Sequence, residues 1–145
     1  MTPYFDSGVL IKLYVLESNS PNAVSSVARF PVVKLNPVQE LEIRNTFRAL
    51  EGRDILTAAQ RAASEHVLEL DIICGRLRRS VPDWSEVFRI AMNLSQDYTT
   101  ETLARSLDIL HVAIAICEHC DIFITADARQ DSVARKAGIQ AEMIE

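Results

Sequence analysis

The sequence predicts a helix-rich α/β fold, a three-layer α/β/α sandwich around a short parallel sheet. Three observations lead there. Short apolar runs read as buried strands, and each is followed by a helical pattern. Strands alternate with helices at both ends of the chain, the arrangement that builds parallel sheets. Only four glycines and five prolines interrupt 145 residues, so most of the chain is expected to be helical. At this length a single domain over 1–145 with a real core is expected.

Each element has its own signal. Pro3-Tyr4-Phe5 marks a strand at 2–6, followed by helices at 7–16 and 21–29 and a short strand at 32–35. A helix at 37–51 has a clear start, because Asn36 is a good N-cap, Pro37 suits the first helical position and Gln39 completes a capping-box spacing. Helical patterns then run over 57–79, 84–97 and 101–119, the block 57–97 reading as an elaboration on one side. Ile122-Phe123-Ile124-Thr125 marks a strand at 121–125. The helix at 128–137 stops cleanly, with Arg135 and Lys136 in its last turn and Gly138 beyond. A short strand near 139–143 completes the pattern.

Composition narrows the function only a little. Apolar residues make up 48% and charged residues 24%, an ordinary globular balance. No stretch approaches the ~20 apolar residues of a membrane helix. A strand starting so near Met1 leaves no room for a signal peptide, which points to the cytoplasm. Cys74, Cys117 and Cys120 are odd in number and form no disulfide framework. Cys117 and Cys120 have C-x-x-C spacing with His111 nearby, but no second pair, so reduced, mostly buried structural cysteines are expected. A net charge of −5 argues at first against nucleic acid. Bound divalent cations would offset most of it. Arg76, Arg78 and Arg79 form the one dense basic run, read as a solvated helix end.

The placement of the acids says more. Asp6 ends the first strand, and Asp127 closely follows the strand at 121–125. In open parallel sheets, ligands bind beyond the carboxyl ends of strands. Helix 37–51 offers Glu40 and Glu42. At about 100° per residue, Glu40 falls with Arg44, Arg48 and Glu51 on a water-facing arc, whereas Glu42 falls with Val38, Leu41, Asn45 and Ala49. A carboxylate on that second face needs a partner. Ile43, Phe47 and Leu50 make a further apolar stripe, which suggests packing on both sides, by the chain itself or by a second copy. Asp108 precedes a run apolar around almost its whole circumference, with His111 and Glu118 on the single polar seam. It either caps a turn or joins a site; Asp127 likewise suits an N-cap.

Four acids in apolar company suggest one cation site. Oxygen-only ligands favour Mg²⁺, with Mn²⁺ as substitute, over zinc. The chemistry implied is metal-assisted phosphodiester hydrolysis. No Ser-His-Asp or Cys-His arrangement, P-loop or G-x-G-x-x-G competes.

These residues resemble the PIN-domain family, most closely its VapC-type toxin ribonucleases. The segments that carry the resemblance are YFDSGVLIKLYV (4–15), NPVQELEIRNTFRAL (36–50), RSLDILHVAIA (105–115) and FITADARQDSVARKAGI (123–139). The resemblance implies that Asp6, Glu42, Asp108 and Asp127 form the acidic metal-binding, catalytic tetrad. It places Ser7 and Thr125 at the hydroxyl positions flanking the first and last acids, and Asn45 and Arg105 at supporting positions. Asp131 stands where a basic or neutral residue is expected. Further implications are an RNA substrate, a homodimer and a cognate antitoxin that inserts a peptide into the RNA groove.

Three rivals are weaker or untouched. A phospho-accepting receiver needs adjacent acids after its first strand and a late strand-end lysine, and neither is present. An Asp-nucleophile phosphatase needs an acid at position 8, which is Gly8. A catalytically silent PIN-like RNA-binding or regulatory protein is compatible with the sequence.

Overall fold

Parallel strand pairing organises the chain. The computed structural model describes residues 1–145. In chain order the elements are β1 (Pro3–Phe5), α1 (Ser7–Ile11), α2 (Ser20–Val27), β2 (Val33–Leu35) and α3 (Pro37–Gly52). Next come α4 (Ala58–Ile73), β3 (Leu77–Arg79), α5 (Trp84–Thr102) and α6 (Ser106–Cys117). The last three are β4 (Ile122–Thr125), α7 (Ala128–Lys136) and β5 (Gln140–Met143). The result is helix-rich α/β with a short parallel sheet, as the sequence predicts. Contacts divide the chain, expected as one domain over 1–145, into two compact units: Met1–Asp6 with Val81–Glu145, and Ser7–Ser80.

The first unit holds a three-stranded sheet in the order β1-β4-β5, parallel throughout. Every residue of β1 and β4 is buried, the continuous apolar pattern of parallel strands covered on both faces. Tyr4 pairs with Phe123 in register, and their rings stack at 5.3 Å and 5°. The Asp6 amide donates to the Ile124 carbonyl at 2.9 Å, so strand pairing extends to the first acid. The helix boundary expected between 97 and 101 falls later, at Leu103. That residue is left-handed (φ 56°), its N–H bonding to Thr99 O at 2.8 Å. No glycine or proline announces this stop.

The second unit contains a separate parallel pair, β2 with β3. Here the sequence reading needs correction: the helix expected over 57–79 ends at Ile73, and 77–79 is a strand. Gly75 is the reason, sitting just past the Cys74 cap with φ 84°, a conformation that ends helices and that glycine adopts without strain. The arginines therefore surround and occupy β3 and are not a helix end. The Asn36 start is as expected: Asn36 Oδ1 accepts from Gln39 N at 2.9 Å, and Gln39 Oε1 accepts from Asn36 N at 2.8 Å.

Packing decides the roles of two faces of α3. Ile43 and Phe47 are fully buried, Phe47 lying edge-on to Tyr14 at 6.2 Å, so this stripe is internal packing and gives no reason for a second copy. The arc assigned to water instead meets α4 through Arg44–Glu69, Arg48–Glu65 and Glu51–Arg61 ion pairs. Helical periodicity separates polar from apolar arcs. It does not reveal that α4 carries charges opposite to those of α3. Leu41 is 69% exposed and Asn45 is exposed, so the side of α3 shared with Glu42 is largely open.

Glu40 is not a bare surface acid either. It accepts from Arg79 at 2.9 and 3.0 Å and from Arg44 at 3.0 Å. Hydrogen bonding to Arg79, foremost, and to Arg44 holds its carboxyl below the usual range against some desolvation. The pairs are partly exposed, so Glu40→Gln should cost no more than ~1 kcal/mol at pH 7. With the folded-state pKa depressed, this contribution is complete above the ordinary carboxylate pKa and is lost as pH falls through the lowered value. Paired melts from pH 7 down to pH 3 should show the difference between the proteins shrinking as the pH falls.

Candidate functional site

The first unit gathers its acids at the carboxyl ends of β1 and β4. Asp6 is buried at the end of β1, where a carboxylate needs donors. One comes from Gln130, whose Nε2 donates to Asp6 Oδ1 at 3.0 Å. The same nitrogen donates to Asp108 Oδ1 at 3.2 Å. Asp108 lies in the first turn of α6, and its Oδ2 accepts the Arg105 backbone N–H at 2.9 Å. The cap and the site readings of Asp108 are thus compatible, one per oxygen.

Asp127 caps α7. Its Oδ1 accepts from Arg129 N at 2.7 Å and Gln130 N at 3.2 Å. Thr125 is fully buried; its hydroxyl accepts from Asp127 N at 2.9 Å and donates to Gln130 Oε1 at 2.8 Å. A cavity of about 370 Å³ is lined by Arg105, Asp108, Ala126, Asp127, Ala128 and Arg129. Asp108 and Asp127 therefore share one opening with two guanidinium groups. Behind Asp6, the buried His111 places Nε2 at 3.7 Å from Asp6 Oδ1, and its Nδ1 hydrogen-bonds the Tyr4 hydroxyl at 2.6 Å.

The second unit holds Glu42, Ser7 and Asn45. Glu42 is half-buried, and its Oε1 accepts from the Ser7 hydroxyl at 2.9 Å. Asn45, one turn on, is exposed. Asp131 has a structural partner: it accepts from Arg135 Nε at 2.8 Å, and Arg135 Nη2 also donates to Ala141 O at 2.8 Å, tying α7 to β5.

The donor chemistry around Asp6 and Asp108 suits a hard divalent cation. The atoms these two side chains offer are carboxylate oxygens. No three His, Cys, Asp or Glu side chains are gathered as a ready-made ion cage. None of the cysteines forms a disulfide; Cys74 is exposed and the other two are half-buried, rather than buried as expected. Burial, ahead of nearby carboxylates, pushes the Cys117 thiol up, away from reactive thiolate character.

Sequence reasoning missed Gln130, Tyr4 and Arg129, and gave His111 no site role. A signal for Gln130 existed. With Val133 and Ala134 it makes an i, i+3, i+4 set on the buried face of α7, and a polar residue there needs partners.

No family model and no curated protein sequence matches the chain. Solved structures do share its fold. A chain of VapBC2 from Rickettsia felis, bound to a DNA fragment from the promoter, superposes with a TM-score of 0.69 at 13% identity over 100% of both chains. A toxin–antitoxin complex from Klebsiella pneumoniae gives 0.65 at 15%, covering 100% of this chain and 98% of the other. FitAcB from Neisseria gonorrhoeae gives 0.67 at 17%, covering 97% and 96%. At such identities the likeness is one of fold. No helix is long and apolar enough to cross a membrane.

Proposed function

We propose that the protein is a divalent-cation-dependent endoribonuclease and the toxin of a toxin–antitoxin pair. The observation that carries the reading is the joining of Asp6 and Asp108 through one amide nitrogen, with Asp127 on the cavity that Asp108 lines. Asp6 and Asp108 would hold Mg²⁺ or Mn²⁺, with Asp127 a third ligand by resemblance to the family motif. Glu42, oriented by Ser7, is the fourth ligand by resemblance to the family motif. When bound, such a cation supplies charge stabilisation at phosphate oxygens and a more acidic water.

The remaining residues position these acids and the substrate. Thr125 fixes the start of α7 and the Gln130 amide. Tyr4 and His111 back the buried side of Asp6. Arg105 and Arg129, on the cavity wall, suit phosphodiester oxygens of a single strand, which a protein of net charge −5 must attract locally. The antitoxin partner rests on the shared fold of toxin–antitoxin complexes. A homodimer and a cytoplasmic location complete the proposal on the family resemblance.

Incubation of the purified protein with single-stranded RNA and Mg²⁺, followed by sequencing of the new ends, tests the activity. Cleavage at discrete positions is expected. RNA that is bound and left intact would instead identify a silent RNA-binding protein. Arg129→Ala should weaken substrate use mainly through KM, by about 5–10-fold, because a phosphate contact acts similarly before and during the reaction. A fall confined to kcat would contradict that role.

A further inference from the structure

We infer that Gln130 is the positioning residue of the acid pair, holding the Asp6 and Asp108 carboxylates together by donating one amide hydrogen to each. The side chain is only 3% exposed, and both bonds leave a single nitrogen. Two carboxylates drawn to one atom repel each other, and the amide supplies the offsetting positive polarity.

Its orientation is fixed by a directional chain. The Asp127 N–H can only donate, so the Thr125 hydroxyl accepts from it and turns its own proton to Gln130 Oε1. That leaves the NH₂ end facing the acids. No other common side chain of this shape would do the same: methionine donates nothing, and glutamate adds a third negative charge.

The experiment compares melting temperatures of the full chain in excess chelator. Gln130→Met is made in the natural background and in one carrying Asp6→Asn with Asp108→Asn. A drop of roughly 3–8 °C is expected in the first background. In the second it should be less than half as large, since neutral acceptors neither repel nor form charge-assisted bonds. A variant that folds only in the neutralised background gives the same support. Equal drops in both backgrounds, or failure to fold in both, would make Gln130 a packing residue and overturn the proposal.

Gln130→Glu supplies a second measurement. It should melt below Gln130→Met in chelator, and added Mg²⁺ should raise its melting temperature more than that of the unaltered protein. A Gln130→Glu protein no less stable in chelator than Gln130→Met would also overturn the role. This inference rests on the proposed cation site only in the Mg²⁺ comparison. If Mg²⁺ moves no melting temperature while the background dependence holds, the cation reading fails and the role of Gln130 stands.

Discussion

Asp6→Asn, Asp108→Asn and Asp127→Asn are each expected to reduce RNA cleavage on the order of 10²-fold or more, a loss of several kcal/mol of transition-state stabilisation. The fold should survive. Asparagine keeps an acceptor for Gln130 at position 6 and for the α7 backbone at position 127; at position 108 its one oxygen serves either Gln130 or the Arg105 N–H, where the carboxylate serves both. Asparagine is also as good an N-cap as aspartate. Removing charge from the Asp6–Asp108 pair relieves repulsion, so Asp6→Asn should melt no lower than the unaltered protein in chelator, whereas in Asp108→Asn this gain is offset by the loss of one of two accepted bonds. Glu42→Gln should be equally inactive, whereas Glu40→Gln should cleave normally, its carboxylate being engaged by Arg79 and Arg44. Parallel cleavage assays and melts on the five variants decide this. If Glu42→Gln is active and Glu40→Gln is not, the assignment of the fourth acid is wrong. If activity falls only with the unfolded fraction, the acids are structural.

The largest effect on stability should come from Phe123→Ala, at about 3–5 kcal/mol. Phe123 is fully buried on β4, the central strand of the three-stranded sheet, and stacks on Tyr4. Truncation removes apolar burial and leaves a void that fixed strands on either side cannot close. The consequence reaches the site, because Tyr4 loses its stacking partner while holding His111 behind Asp6. Phe88→Ala, at a position 49% exposed, should cost far less. Urea unfolding gives both values; a Phe123→Ala cost below ~1 kcal/mol would contradict this view of the core.

What could be read from the sequence depended on how local the cause was. β1 and β4 were legible because their burial is continuous, and α3 because Asn36, Pro37 and Gln39 act within one turn. The strand β3 is hidden in a helical pattern over 57–79, where a single glycine, Gly75, is the one local sign that α4 ends. The stop at Leu103 had no local signal, since a leucine rarely adopts that conformation. The polar face of α3 was misassigned because its partner charges lie on another helix. In the site, Asp6 and Asp127 followed from strand ends. Gln130 did not, because its importance arises from contacts 22 and 124 residues away along the chain.

A cation held by these carboxylates should be required for the reaction. The deciding experiment strips the purified protein with chelator and assays single-stranded RNA cleavage before and after Mg²⁺ is restored, with Asp108→Asn treated identically. No cleavage in chelator, recovery with Mg²⁺ or Mn²⁺, and no recovery in the variant are expected. Undiminished cleavage in chelator, or equal recovery by Asp108→Asn, would contradict this requirement.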